Sequence, residues 1–157
     1  MKKITLFYLF LLQITFALAQ PGAIDSTFGT NGKVLSENYE GSGRSVAVQA
    51  DGKIVIGGGG GWYGTDSSVI AGFLAVRYNA DGTIDESFGD AGRALNDLAD
   101  PLVSKTVYKI AIQPDGKIVA AGTYGFALAL VRYNTDGSID TGFGEGGIAI
   151  YQPSQTI

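Results

Sequence analysis

Two seven-residue stretches, Asn79-Ala80-Asp81-Gly82-Thr83-Ile84-Asp85 and Asn134-Thr135-Asp136-Gly137-Ser138-Ile139-Asp140, gather the oxygen ligands that a calcium loop would need. An EF-hand loop also requires acidic ligands at alternating positions and a closing glutamate. A tight Asp-Gly turn accounts for the same residues without an ion. The run Gly57-Gly58-Gly59-Gly60-Gly61-Trp62-Tyr63-Gly64 looks like a phosphate loop, yet it lacks the Gly-Lys-Ser or Gly-Lys-Thr ending and no helix is predicted after it. Read as a loop, it places the only tryptophan beside a tyrosine, and exposed aromatics suit a sugar- or peptide-binding surface. Trp62 and Tyr63 are therefore candidate ligand contacts. The chain has no His, no Cys and a single Met, the initiator. The usual ligands of zinc, copper and haem are absent with them. A hydrolase would need paired carboxylates or a Ser activated by Lys, and no such pair stands out. No catalytic, cofactor-binding or metal-ligating residue is assigned.

What positions these residues is a repeat. The block Ala75 to Gly89 recurs as Leu130 to Gly144 at an offset of 55, and Val46 to Gly57 recurs as Ile110 to Ala121 at an offset of 64. The difference falls in the segment Gly58 to Gly72, read as one long inter-strand loop. Ala23-Ile24-Asp25-Ser26-Thr27-Phe28-Gly29 matches the closing part of each later unit. The order is thus a tail piece and two full units: 20–43 as a partial repeat ending a blade, 44–95 and 104–150 as repeats, and 151–157 as a tail.

Each unit reads as four strands in two hairpins. Val46 to Gln49 and Lys53 to Ile56 flank Gln-Ala-Asp-Gly, and Tyr108 to Gln113 and Lys117 to Ala120 flank Gln-Pro-Asp-Gly. The second hairpins turn at Asn-Ala-Asp-Gly and Asn-Thr-Asp-Gly. All four turns fit a three-residue loop, a type I turn followed by glycine in the left-handed region. That geometry pairs Asn79 with Thr83 and sets Arg77 opposite Asp85 on one sheet face, with Arg132 opposite Asp140 by the same count. A charge pair recurring in every unit points to structure, because a catalytic group is needed once. Phe28, Phe88 and Phe143 read as plugs between neighbouring units.

The amino terminus carries Lys2 and Lys3, then the apolar run Ile4 to Leu12, then Ala17-Leu18-Ala19. That is the pattern of a signal peptide, 1–19, cleaved before Gln20. The run is too short and too interrupted, by Gln13 and Thr15, to span a membrane. Localisation is expected to be secreted, extracellular or at the cell surface, with no membrane span after cleavage. Without cysteine, neither a lipid anchor nor a disulfide framework is available. Removing Lys2 and Lys3 from the eleven basic side chains leaves nine against fifteen acidic ones, a formal charge of −6. That balance argues against nucleic acid and against anionic lipid as partners. The 24 glycines are spread at intervals through a chain that is 45% apolar, which implies many tight turns in a packed domain.

The motifs Asp51 to Val55 and Asp115 to Val119, Arg77 to Asn79 and Arg132 to Asn134, and Asp81 to Asp85 and Asp136 to Asp140 recur in one order. Each series ends in Phe-Gly-x-x-Gly, at Phe28, Phe88 and Phe143. In these motifs the chain resembles the delta-60 repeat family over nearly all of its mature length. The resemblance implies an all-β fold, four-stranded antiparallel blades of an incomplete β-propeller, in large exported bacterial proteins; it brings no catalytic residues. A propeller closes with four to eight blades, so two and a half units are expected to be a fragment of a longer protein. Other copies of the chain completing a ring are the alternative. The function expected is a non-enzymatic binding or scaffold module for a glycan or protein ligand. The alternative is part of a glycan-processing enzyme with an acidic site at the propeller axis.

Overall fold

In the computed structural model, residues 22–35, 40–63, 69–98 and 103–152 are described. The expected signal peptide, 1–19, and most of the tail 151–157 lie outside them. Eight strands form two four-stranded antiparallel sheets, each with its strands in chain order. The first sheet contains β1 (Glu40–Val48), β2 (Ile54–Tyr63), β3 (Val69–Tyr78) and β4 (Arg93–Asn96). The second contains β5 (Lys105–Ile112), β6 (Ile118–Tyr124), β7 (Ala127–Tyr133) and β8 (Ile148–Tyr151). These are unclosed propeller blades. The first begins at Glu40, inside the segment read as a partial repeat. Among the described residues no helix is long and apolar enough to cross a membrane.

The Asp-Gly turns set the register. Gly52, Gly82, Gly116 and Gly137 all have φ between +83° and +87°, a region that costs a residue with a Cβ about 1–2 kcal/mol. In each turn the glycine N–H bonds back to the residue before the loop, as Gly82 N does to Asn79 O at 3.0 Å. Asn79 N in turn donates to Thr83 O at 2.8 Å. Alternation then sorts side chains by face: along β7, Ala127, Ala129, Val131 and Tyr133 are buried while Leu128 and Leu130 are exposed.

Two expectations need correction. The glycine run is not a loop. β2 continues through it, pairing Gly57 with Ala75 and Tyr63 with Val69. Here glycine is selected for close approach: a Cβ at Gly57 would overlap Ile110, and one at Gly58 would overlap the carbonyl of Ser42. Gly122, the counterpart of Gly58, would likewise overlap the carbonyl of Thr106. Both glycines face a bulge, between Gly43 and Ser45 in β1 and between Val107 and Lys109 in β5.

The second hairpin also differs. After the turn the chain makes only one bridge, Tyr78 with Ile84 or Tyr133 with Ile139. It then turns again around Asp85 and Phe88, closed by Gly92 N to Phe88 O at 2.9 Å. The fourth strand follows this corner, so Val76 pairs with Arg93 and Val131 with Ile148.

The sheets stack face to face around one core that includes Val55, Phe73 and Ala75 from the first and Val107, Ile118 and Tyr133 from the second. The Tyr133 hydroxyl donates to Phe73 O at 2.6 Å, and Ile110 N donates to Ser45 Oγ at 3.0 Å. A buried donor would be costly without such partners. The second junction is made by the turns: Gly89 N donates to Asp136 O at 2.7 Å across the blades.

Gly137 therefore has two duties, a positive φ and a close approach, since its Cβ would sit 2.6 Å from Gly89 N and 2.9 Å from Phe88 Cδ2. Gly146, with φ of +60°, has nothing within 4 Å. Gly146→Ala is expected to cost about 1 kcal/mol, and Gly137→Ala roughly 3 kcal/mol because overpacking adds to the strain. Urea unfolding of the two variants checks this; equal losses would contradict the close approach.

Candidate functional site

The recurring charges of the two units assemble into two clusters. In the first, β3 carries Arg77, the first Asp-Gly turn delivers Lys53, and the corner after the second turn delivers Asp85. Lys53 Nζ lies 2.7 Å and Arg77 Nε 2.6 Å from the same Asp85 oxygen. The other oxygen accepts from Ser87 Oγ at 2.6 Å and Ser87 N at 3.2 Å. Both carboxylate oxygens are thus occupied. Arg77 also lies over the Phe88 ring, 4.4 Å from its centroid, and its Nη1 donates to Thr135 O of the second blade at 2.5 Å. The guanidinium ties its own corner to the next blade.

The second cluster repeats the first. Lys117 Nζ and Arg132 Nε lie 2.8 Å and 2.7 Å from Asp140 Oδ2, and Arg132 stands 4.5 Å from the Phe143 centroid. Gly142 N, at 3.1 Å, stands where Ser87 N does. Among the described residues no further blade lies over Arg132, whose side chain is 21% exposed against 8% for Arg77.

Burial alone would raise the Asp85 pKa, but hydrogen bonds from Lys53, Ser87 and Arg77, with the Arg77 charge, outweigh it and hold the carboxyl far below the usual carboxylate range. Asp140 is lowered chiefly by the Lys117 hydrogen bond, against burial. Asp85 is thus a poor general base, because it binds a proton weakly and each of its oxygens already accepts two hydrogen bonds. Asp81 and Asp136 are lowered by the Thr83 and Ser138 hydroxyls and amides, which are bonds internal to their turns. Among the described residues no group of three or more His, Cys, Asp or Glu is placed to hold a metal ion.

The expected pairs Arg77 with Asp85 and Arg132 with Asp140 are therefore in contact, and they are more buried than surface cross-strand pairs. Lys53, Lys117, Gln49 and Gln113 were not anticipated. Their signal is the Gln-x-Asp-Gly-Lys motif at 49–53 and 113–117, whose ends come back to the arginine: Gln49 Oε1 and Gln113 Oε1 each lie 3.5 Å from an Arg Nη1. Trp62 and Tyr63 sit at the end of β2, opposite Ile70 and Val69. Their side chains lie outside the described residues.

Asp85→Asn is expected to destabilise the protein by about 3 kcal/mol at neutral pH, because it leaves two cations uncompensated. Because the Asp85 pKa is depressed by folding, its contribution is full above the ordinary carboxylate value of about 3.9 and is lost as pH falls below it. Asp140→Asn costs less. Thermal unfolding between pH 7 and pH 2 checks both, with Asp85→Asn flattening the acid limb.

A family profile described as a β-propeller domain of unknown function (DUF5122) matches residues 49–88 and 113–143. Each matched segment runs from the Gln of the first turn to the Phe of the corner, the span that builds each charge cluster. No curated protein and no solved structure matches the chain. The two antiparallel four-stranded sheets and the two matched segments agree that the chain is built of repeats of the β-propeller kind.

Proposed function

We propose that the chain is a segment of an exported β-propeller of the delta-60 repeat type, acting as a non-enzymatic binding or scaffold module of a secreted or cell-surface protein. The observation that carries this reading is the closure of the Asp85 cluster. Every oxygen of Asp85 is held by a cation, a hydroxyl or an amide of its own blade, so the repeated charges serve the joints and leave recognition to surfaces. Export is supported by Lys2, Lys3 and the apolar run that follows them. A glycan or protein ligand is supported by Trp62 and Tyr63 on β2, the strand whose unit carries the nine-residue excess.

A glycan and peptide array probed with the mature chain tests the reading. Binding is expected, weakened at least about tenfold by Trp62→Ala, as for loss of an aromatic anchor. Binding unchanged in Trp62→Ala removes that residue from the surface. Release of reducing sugar from a glycan substrate, abolished by an Asp→Asn or Glu→Gln substitution, overturns the non-enzymatic reading.

A further inference from the structure

The two open faces of the blade pair are the two halves of the junction between the blades. Phe73 and Ala75 of β3 are fully buried there, whereas their counterparts at the 55-residue offset, Leu128 and Leu130, are 60% and 38% exposed on the outer face of the second blade. At the opposite end of the stack Val46 is 62% exposed, while its counterpart Ile110 is 2% exposed inside the junction. An outer face that can receive a blade and an inner face that can be received are carried by one chain.

The inner face already holds an imitation of a blade corner. Gly29 N donates to Asp81 O at 2.8 Å, as Gly89 N does to Asp136 O at 2.7 Å. A Cβ at Gly82 would lie 3.1 Å from Phe28, and one at Gly137 lies 2.9 Å from Phe88. Residues 23–35 thus fit the Asp81-Gly82 turn as a true corner would, but among the described residues no sheet stands behind them. Phe28 is only half-buried where Phe88 is fully buried.

We infer that the chain associates head to tail with a second copy: the corner of residues 140–150 and the outer face of one copy's second blade take the place of residues 23–35 against the Asp81-Gly82 turn of the next. This rests on the reading of the chain as a propeller-type binding or scaffold segment, and it names that segment's partner. The joint is heterologous, so copies add in series and close only if the rotation permits. A whole blade buries the Leu128 and Leu130 face as well as the corner, which the tail cannot do. The tail, being tethered, competes at an effective concentration on the order of millimolar. It therefore holds association to high protein concentration.

Light scattering and circular dichroism of the mature chain over a concentration series test this. Phe28→Ala, and separately Gly29→Pro, which removes the donor to Asp81, are expected to associate at about tenfold lower concentration than the parent, as follows when an internal competitor is weakened. Leu130→Asp stays a single chain in every background. An excess of a peptide spanning residues 23–35 returns the Phe28→Ala and Gly29→Pro assemblies to single chains. The inference is overturned if both tail variants remain single chains while keeping the parent's circular dichroism, if Leu130→Asp associates as readily as the parent, or if the peptide has no effect on the assemblies. Ligand binding by Leu130→Asp on the array reads the proposed function separately, since it is expected to be retained whether or not association occurs.

Discussion

One joint organises the molecule: the Asp-Gly turn of a unit enters the Phe-Gly corner of the unit before it. At the blade junction this joint combines Gly89 N to Asp136 O, the absence of a Cβ on Gly137 beside Phe88, and Arg77 reaching Thr135 O. A single four-stranded sheet has an apolar face that must be buried against another element. The joint fixes how a second sheet covers it. Because Arg77 also holds Asp85 within its own blade, the order of the corner and the docking of the neighbour depend on the same side chain.

The strands and Asp-Gly turns were legible because they are local: a β-branched run, a turn residue pair and a glycine at fixed spacing. Counting two residues outward from the turn was enough to oppose Arg77 to Asp85. Lys53 and Gln49 were not found this way, since their approach depends on one hairpin lying beside the other, a relation without local signature. The glycine run misled for a physical reason. Glycine usually marks a turn because its backbone is permissive, whereas Gly57 and Gly58 are needed where Ile110 and Ser42 come too close for a side chain. The fourth strand was misplaced because Ile84 begins a ladder that the corner at Asp85 interrupts after one bridge.

The clusters also redirect the search for function. An isolated acidic residue in a cleft suggests acid–base chemistry, but Asp85 and Asp140 are each neutralised by two cations and turned inward on their own corners. Their recurrence follows from the repeat. What differs between units is a better guide: the longer β2 and β3 with Trp62 and Tyr63, and the outer face that carries Leu128 and Leu130 exposed. Exposed apolar surface of this kind is where the association proposed above would be made.

Amide hydrogen exchange at Gly89 and Gly144 in dilute solution tests the joint most directly. Gly89 N donates to a carbonyl of the other blade, whereas the equivalent Gly144 N meets no such carbonyl among the described residues. The account predicts that Gly89 exchanges as slowly as the central strand amides and Gly144 at the rate of an open turn. Equal, fast exchange at both positions in a chain whose strands remain protected would contradict it.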